Sequence, residues 1–263
     1  MTAEELYLVI VVSGVGLIFG SFATAAAYRI PRRESFVTGR SKCPNCGATI
    51  TAAQNIPVIS YLIQRGRCRS CKTRISPRYP LIELGTAVLF AGAASRFGYS
   101  VETVVFAAFF WGLVVLTIID LEHQTLPNRV VFPMFVAGWV GLTAAALVDG
   151  EPDRLVSAAI GAAIFGGFFF AIAFAVPKGM GGGDVKLAFV LGTFLGYVGG
   201  AGVTAVGMFL SFMLGGVIGL LLTVVTGAGR KTKVPFGPFL ALGTVAAVFW
   251  GRQLLDAYLG RLS

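Results

Sequence analysis

Long apolar runs alternate with short polar segments along the chain, and this pattern predicts membrane-spanning helices. A helix that crosses a bilayer needs about 20 mostly apolar residues, and runs near that length recur throughout the sequence. We identify eight, of which the second and sixth are short and either extend into their polar flanks or lie in locally thinned membrane. The predicted spans are Leu6–Ala27, Leu81–Ala94, Val104–Ile119, Val130–Val148, Leu155–Val176, Val185–Tyr197, Gly202–Val225 and Phe236–Leu255.

The composition agrees with a polytopic membrane protein. Of 263 residues, 56% are hydrophobic and only 13% are charged, whereas soluble domains carry about 25% charged residues. This deficit excludes disordered chains, coiled coils and most soluble enzymes. The net charge is +9, but most lysines and arginines fall in alternate polar connections, a distribution that indicates membrane orientation and not nucleic-acid binding.

The basic residues also predict which connections are cytoplasmic. The first apolar run follows Glu4 and Glu5 and no basic residue, so we interpret it as a retained span with an outside N-terminus and not as a signal peptide. Since the chain starts outside and crosses the membrane eight times, the C-terminus is also predicted to lie outside. The four inside connections, which hold most of the lysines and arginines, are 28–80, 120–129, 177–184 and 226–235.

Four cysteines occur as two close pairs in the first inside connection. The pairs are Cys43-Pro-Asn-Cys46 and Cys68-Arg-Ser-Cys71, separated by 21 residues. Four thiolates at such spacing are typical of a closed tetrahedral zinc site. The alternatives are two disulfides, redox-active pairs or four ordinary thiols, and a reducing cytosol disfavours stable disulfides. We expect a structural zinc ion that shapes the insert and takes no part in chemistry.

Ionisable residues inside membrane spans are costly and are therefore candidates for function. The predicted spans contain Glu83 near the start of the second, Asp120 at the inner end of the third, and Asp184 at the start of the sixth, followed by Lys186. The topology brings Asp120 and Asp184 to the same cytoplasmic end. Asp184 also ends a glycine-rich segment, 179–184, where another part of the chain can approach closely.

Two carboxyl groups in one partly dehydrated site can hydrolyse a peptide bond without a metal. Because they cannot both ionise easily, one can take a proton from water while the other donates a proton to the carbonyl oxygen. The alternative is that Asp120 and Asp184 cap helices or pair with Lys186 or Arg129. The single histidine, His123, lies in a polar loop and is expected to be solvated.

The motifs taken together resemble the type IV prepilin peptidases, which are membrane aspartic proteases with a GxGD signature. The signature here is Gly181-Gly-Gly183-Asp184, and its partner is Asp120, which five intervening residues separate from Leu126-Pro127. Asn128 stands where an aspartate often follows, and Thr24 stands where the first motif often has asparagine. The remaining matching segments are Gly20-Ser21-Phe22, Tyr28-Arg29-Ile30-Pro31, both CxxC pairs, Asn55-Ile56-Pro57, Ser60-Tyr61 and Arg78-Tyr79-Pro80 with Glu83.

The resemblance implies an enzyme in the cytoplasmic membrane of a prokaryote that cleaves prepilin or pseudopilin precursors after a glycine. It implies Asp120 and Asp184 as the catalytic pair, with Gly181, Gly183, Glu83 and Lys186 supporting the substrate or the loop. Relatives with the cysteine insert also N-methylate the new terminal residue with S-adenosylmethionine. Alternatives are a peptidase without methylation, or a transporter or scaffold with a zinc module.

The expected domain organisation follows from these motifs. We expect a first transmembrane helix over 1–27, a cytoplasmic zinc-binding insert over 28–80 and a transmembrane aspartic peptidase core over 81–263. The fold class is therefore all-α, with about eight transmembrane helices and a small four-cysteine insert.

Overall fold

The computed structural model describes the chain in four stretches and divides it into two compact units. The first unit is Met1–Ile118 and the second is Ile119–Ser263. Four basic residues of the predicted inside connections 177–184 and 226–235 lie outside the described residues: Lys178, Arg230, Lys231 and Lys233. The described stretches are 2–35, 39–176, 180–226 and 235–260.

The first unit consists of long helices joined by the cysteine-bearing insert. The helix α1 (Ala3–Arg29) begins with a capping box in which Thr2 and Glu5 bond to each other's backbone amides. The insert contains a short 3-10 helix (Ala52–Asn55) and α2 (Ile59–Ile63), and leads into α3 (Arg78–Phe97). The first part of α4 (Val101–His123) completes this unit.

Small residues allow α1 to pack closely on α3. A Cβ atom at Gly20 would lie 2.6 Å from the Cα atom of Glu83, and one at Gly16 would lie 2.8 Å from the Cα atom of Ala87. Since lipid provides no hydrophobic force between helices, such close backbone contact is how they associate. The four-residue spacing of these two glycines therefore serves helix packing.

The second unit contains the end of α4 and four further helices. Its other helices are α5 (Asn128–Asp149), α6 (Asp153–Ala175), α7 (Gly182–Thr226) and α8 (Gly237–Leu259). The contact between α6 and α7 is so close that a Cβ atom at Gly161 or at Gly192 would collide with the carbonyl oxygen of the other. The backbones of these two helices therefore fix their relative position.

The helix α7 bends at two glycines. It has 45 residues, and a straight helix of that length would be roughly 68 Å long, more than twice the thickness of a bilayer core of about 30 Å. Gly200 has a φ of 66°, which a residue with a side chain rarely adopts. The bend separates the predicted sixth and seventh spans.

The predicted fold class is confirmed: this is an all-α, multi-pass membrane protein. Six of the described helices, all but α2 and α3, are long and apolar enough to cross a membrane. The helix α3 contains the predicted span Leu81–Ala94 and extends into polar residues at both ends. Because it carries Glu83 and Arg96, α3 is less apolar than the other six long helices. Each predicted span thus coincides with a helix, or with one half of the bent α7.

Candidate active site

Asp120 lies in the last turn of α4, and its side chain is held by the backbone of another helix. Only 5% of the residue is exposed. Its Oδ2 atom accepts a hydrogen bond of 3.0 Å from the backbone amide of Gly237, the first residue of α8. Free amides at a helix N-terminus favour a negatively charged partner. The start of α8 therefore orients this carboxyl group.

Asp184 lies in the first turn of α7, directly after the glycine-rich segment. Its backbone amide donates a hydrogen bond of 3.1 Å to the carbonyl oxygen of Gly181. A Cβ atom at Gly181 would lie 3.0 Å from Asp184 Oδ2. The residue is half-buried, so its carboxyl group remains accessible to solvent or to a substrate.

Leu126 packs against two glycines, one beside each aspartate. A Cβ atom at Gly183, the residue before Asp184, would lie 3.0 Å from Leu126 Cβ. A Cβ atom at Gly237 would lie 3.3 Å from Leu126 Cδ2 and 2.7 Å from Asp120 Oδ2. Leu126 therefore packs against the neighbours of both carboxyl groups, which are near enough for direct electrostatic interaction. The predicted convergence of Asp120 and Asp184 is present in the second unit.

Lys186 does not neutralise either aspartate. Its Nζ atom donates a hydrogen bond of 3.1 Å to Oδ1 of Asn128, the first residue of α5. Within the described stretches, the ion pairs of the second unit involve neither Asp120 nor Asp184. The alternative in which these aspartates serve as ion-pair partners of Lys186 or Arg129 thus receives no support from the described residues.

The arrangement suits acid–base chemistry on a bound carbonyl group. Two carboxyl groups that share a partly buried site can hold one proton between them. One group can then accept a proton from water while the other donates a proton to the substrate oxygen. Whether Asp120 and Asp184 do this stays a prediction.

Gly237 is the site residue that the sequence reasoning missed. It is 117 residues from Asp120 along the chain, and the site residues expected from the sequence all precede the last two predicted spans. The available signal was a glycine between two prolines, Pro235-Phe-Gly-Pro238, at the start of a helix. Proline is common at the start of a helix, and glycine allows another group to approach the backbone closely.

Glu83 lies in the first unit. Only 8% of the residue is exposed. Its Oε2 atom accepts a hydrogen bond of 2.7 Å from the backbone amide of Val58, and the Ser21 side chain also bonds to the carboxyl group. Val58 has a φ of 60°, which is strained for a β-branched residue. Glu83 therefore stabilises an unfavourable backbone turn.

The four cysteines of the insert form a cluster. Their Sγ atoms all lie within 4.8 Å of one another, and those of Cys43 and Cys71 are 3.9 Å apart. A tetrahedral zinc ion with Zn–S bonds of about 2.3 Å would require sulfur atoms about 3.8 Å apart. The ligand type and spacing therefore suit a tetrahedral metal ion held by Cys43, Cys46, Cys68 and Cys71.

Both CxxC segments have the same backbone turn. The amide of Cys43 donates to the carbonyl oxygen of Ala48, and the amide of Gly47 donates to that of Cys43, each over 2.9 Å. In the second pair, Cys68 bonds to Thr73 over 2.9 Å and Lys72 bonds to Cys68 over 3.0 Å. Two short isolated β-bridges flank these turns. The turns present each pair of sulfur atoms on one side.

Hydrogen-bond donors near Cys71 stabilise its thiolate. Thr73 Oγ1 lies 3.4 Å from Cys71 Sγ, and Asn45 Nδ2 donates to the same sulfur over 3.6 Å. The Thr73 hydroxyl, the Thr73 amide and Asn45 lower the pKa of Cys71 to about 5. The amides of Cys46 and Asn45 likewise lower the pKa of Cys43. Thiolates are the form that binds a metal.

His123, the last residue of α4, takes no part in the arrangement around Leu126. Its Nε2 atom lies 3.9 Å from Glu122 Oε2, and 36% of each side chain is exposed. The side chain is exposed, as expected, but the residue ends a helix and does not lie in a loop.

Two family models match the chain. The bacterial peptidase A24 N-terminal domain matches residues 15–97, and the type IV leader peptidase family matches residues 107–224. The first match contains the cysteine cluster and Glu83, and the second contains Asp120, Leu126 and Asp184. No solved structure matches.

Several curated proteins are similar over nearly their whole length. A prepilin leader peptidase/N-methyltransferase of Bacillus subtilis is 35% identical over 244 residues, which covers 93% of this chain and 95% of the relative. A protein of the same name from Pseudomonas putida is 35% identical, and the match covers 97% of this chain and 94% of the relative. Another, from Pseudomonas aeruginosa, is 34% identical, and the match covers 93% of this chain and 91% of the relative. The two aspartates, the four-cysteine cluster and these matches agree, and the chain therefore belongs to the type IV leader peptidase family.

Proposed function

We propose that this protein removes the leader peptide from type IV prepilin-like or pseudopilin precursors, after a glycine, and then N-methylates the new terminal residue. The observation that carries the proposal is that Leu126 packs against both Gly183, the neighbour of Asp184, and Gly237, whose amide holds the Asp120 carboxyl group. The names of the relatives support both activities and favour neither a transporter nor a scaffold.

In the proposed cleavage, Asp120 and Asp184 act as the acid–base pair. The ionised carboxyl group takes a proton from a water molecule, whose oxygen bonds to the carbonyl carbon of the scissile peptide. The protonated carboxyl group gives its proton to the carbonyl oxygen. When the carbon–nitrogen bond breaks, its electron pair stays on nitrogen and a proton passes to the leaving amine. The bond between Gly237 and Asp120 keeps one carboxyl group correctly oriented throughout.

The glycine-rich segment and Lys186 have supporting roles in this proposal. Gly181 and Gly183 leave room beside Asp184, since a side chain at either would crowd the carboxyl group or Leu126. The bond from Lys186 to Asn128 links the first turns of α7 and α5. It fixes the start of α7 and hence the position of Asp184.

The proposed location is the cytoplasmic membrane of a prokaryote, with the aspartates near the cytoplasmic face. Asp120 ends one apolar helix and Asp184 begins another, so both lie where a span meets a polar connection. Most lysines and arginines of the chain lie in the connections predicted on this same side, as is typical of cytoplasmic loops. A precursor with a polar leader and an apolar stem helix would present its cleavage point at this depth. The partners are thus the precursor peptide and the lipid bilayer.

In the insert, we propose a single structural Zn²⁺ bound by Cys43, Cys46, Cys68 and Cys71. The ion would hold the two CxxC turns together and would have no open coordination position for chemistry. The proposed domain organisation keeps 1–27 as the first transmembrane helix, 28–80 as the zinc-binding insert and 81–263 as the peptidase core.

The second activity requires S-adenosylmethionine, which supplies an electrophilic methyl group on a positively charged sulfur. The free amine of the new N-terminus forms the new nitrogen–carbon bond and afterwards releases a proton to water. The carbon–sulfur bond breaks, and its electron pair stays on sulfur.

The decisive experiment measures the mass of the product formed from a prepilin-like substrate. We expect the purified enzyme to remove the leader and to add one methyl group only when S-adenosylmethionine is present. Asp120→Asn and Asp184→Asn should each lower the rate of leader removal by about a thousandfold or more, because each removes an acid–base group. Zinc content and thermal unfolding serve as controls for folding. Undiminished cleavage in either variant would remove that residue from the catalytic pair.

A further inference from the structure

The short helix α2 of the insert has its apolar side chains on the outside and its serine on the inside. Ile63 is 77% exposed and Leu62 is 66% exposed, and Ile59 is exposed as well. Ser60, in contrast, is buried, and its hydroxyl donates a hydrogen bond of 3.0 Å to the carbonyl oxygen of Ala53. A helix that packs on a protein core and faces water has the opposite pattern. The exposed face of α2 therefore suits an apolar partner and not solvent.

The residue directly before α2 is tied to both long helices that flank the insert. The backbone amide of Val58 donates a hydrogen bond of 2.7 Å to Oε2 of Glu83 in α3, and the side chain of Ser21 in α1 bonds to the same carboxyl group. Val58 has a φ of 60°, a strained conformation that persists only where the surrounding structure enforces it. The start of α2 is therefore fixed beside α1 and α3.

The attachment point lies near the level where the membrane-spanning part of this unit ends. Glu83 packs on the apolar helix α1, since a Cβ atom at Gly20 would lie 2.6 Å from the Cα atom of Glu83. Tyr79, at the start of α3, and Tyr28, at the end of α1, are exposed, and tyrosines near the ends of spans are typical of the headgroup level. Glu83 is four residues, or about 6 Å, further along α3 than Tyr79. Because one glutamate side chain reaches the Val58 amide, that amide lies close to the headgroup level.

The charge of the insert complements a phospholipid surface. Between residues 35 and 82 the sequence contains eight lysines and arginines and no aspartate or glutamate. Three of them, Arg65, Arg67 and Arg69, follow α2 closely and are exposed. Apolar side chains next to a row of basic ones are typical of segments that lie in the membrane interface, where lipid phosphates attract the cations. The depth of α2 and its charged neighbours thus favour the same partner.

We propose that α2 lies in the boundary between headgroups and acyl chains, with Ile59, Leu62 and Ile63 in the apolar layer and the arginines that follow among the phosphates. The occupant of the exposed face is phospholipid and not a second protein chain. The insert then has a membrane contact of its own, besides α1 and α3. Since Cys68 follows Ile63 by only five residues, this contact keeps the cysteine cluster at the membrane surface. The inference goes beyond the proposed cleavage and methylation and depends on neither.

The test is photo-crosslinking of the full-length protein in nanodiscs of phosphatidylcholine and phosphatidylglycerol. Ile63→benzoylphenylalanine is illuminated, and intact-mass spectrometry detects covalent lipid adducts. We expect a yield comparable with that of the same substitution at Ile10, an exposed residue in the membrane-spanning helix α1. The matched control is the same substitution at Ser70, which is exposed in the same insert between polar neighbours. Its yield should be severalfold lower.

A second measurement tests the attachment of α2 through Glu83. In the protein that carries the photoreactive group at position 63, Glu83→Ala removes the acceptor of the Val58 amide and should lower the lipid yield severalfold. Glu83→Gln keeps a carbonyl oxygen that can accept the same hydrogen bond, so most of the yield should return. Zinc content and thermal unfolding show that both variants are folded. Equal yields with glutamate, glutamine and alanine at position 83 would contradict the depth assigned to α2.

The proposal is overturned if position 63 forms no lipid adduct while position 10 does, or if positions 63 and 70 are labelled equally. It is also overturned if position 63 crosslinks to a second copy of the chain, or to peptides from residues 119–263, instead of lipid. The exposed face would then be a protein contact. Leader removal and methyl gain are measured in a separate assay, so failure of the lipid contact is distinguishable from failure of the proposed function.

Discussion

The cysteine cluster of the first unit and the aspartate pair of the second are assembled in different ways. The cysteines lie within 28 residues of one another, and each pair is shaped by its own turn with hydrogen bonds of 2.9 to 3.0 Å. Asp120 instead depends on an amide 117 residues away. The first site is therefore determined by local backbone, and the second by how helices pack. Changes to packing should affect the aspartates alone, and changes near the turns should affect the cysteines alone.

The largest effect is expected from Gly237→Ala. The new Cβ atom would lie 2.7 Å from Asp120 Oδ2, so the carboxyl group must move. A displacement of about 1 Å in a catalytic group can lower the rate by about a hundredfold. We expect kcat for leader removal to fall by about that factor with little change in KM, and the zinc content to stay the same.

The matched control for Gly237→Ala is Gly167→Ala, since nothing lies within 4 Å of a Cβ atom at that position in α6. It should retain wild-type kcat. Equal kcat values in the two variants would show that the start of α8 does not orient Asp120.

A smaller effect, on zinc binding by the cysteine cluster, is expected from Asn45→Ala. This change removes the donor to Cys71 Sγ and its 2.9 Å bond to Thr73. Loss of such an outer hydrogen bond weakens metal binding by about tenfold. Competition with a zinc chelator measures the affinity, and leader removal by the zinc-loaded variant should not change.

The exposed Ser70, between the cysteines of the second pair, provides the control for Asn45→Ala. Ser70→Ala should bind zinc as the wild type does. If Asn45→Ala abolished leader removal while zinc remained bound, the two sites would not be independent, and the contrast between them would be wrong.

The smallest effect is expected from Gly183→Ala. A Cβ atom there would lie 3.0 Å from Leu126 Cβ, and the leucine must shift by a few tenths of an ångström. We expect kcat to fall by roughly threefold to tenfold, a small part of the loss that a 1 Å displacement causes.

The adjacent Gly182 has open space around a Cβ atom, so Gly182→Ala should be close to the wild type. A greater loss in Gly182→Ala than in Gly183→Ala would argue against packing on Leu126 as the reason for glycine at 183.

Much of the fold could be predicted from the sequence because each membrane span is recognisable as a run of consecutive apolar residues. The predicted break between Tyr197 and Gly202 coincides with the bend at Gly199 and Gly200, since glycine both interrupts an apolar run and permits a positive φ. The short second span extends into its flanks, as expected, because α3 is lengthened by polar residues around Leu81–Ala94. The bend and the helix ends are set by residues adjacent in the sequence, and so they can be predicted from it.

The candidate site could be predicted only in part. Asp120 and Asp184 were identified because ionisable residues at span ends are unusual. The role of Glu83 could not be inferred, since its partner, the Val58 amide, is 25 residues away and belongs to a strained turn without a glycine. Lys186 was considered an ion-pair partner for an aspartate, but it bonds to Asn128.

The sequence by itself determined which segments are apolar helices, which four thiols can meet, and at which end of the spans the acids lie. These are properties of composition and short spacing, which each segment carries independently of the rest. Only the tertiary structure decided that the Gly237 amide holds Asp120, that Leu126 packs against the neighbours of both aspartates, and that Glu83 holds the Val58 amide. Such contacts depend on the ångström-scale approach of helices, which hydropathy does not encode.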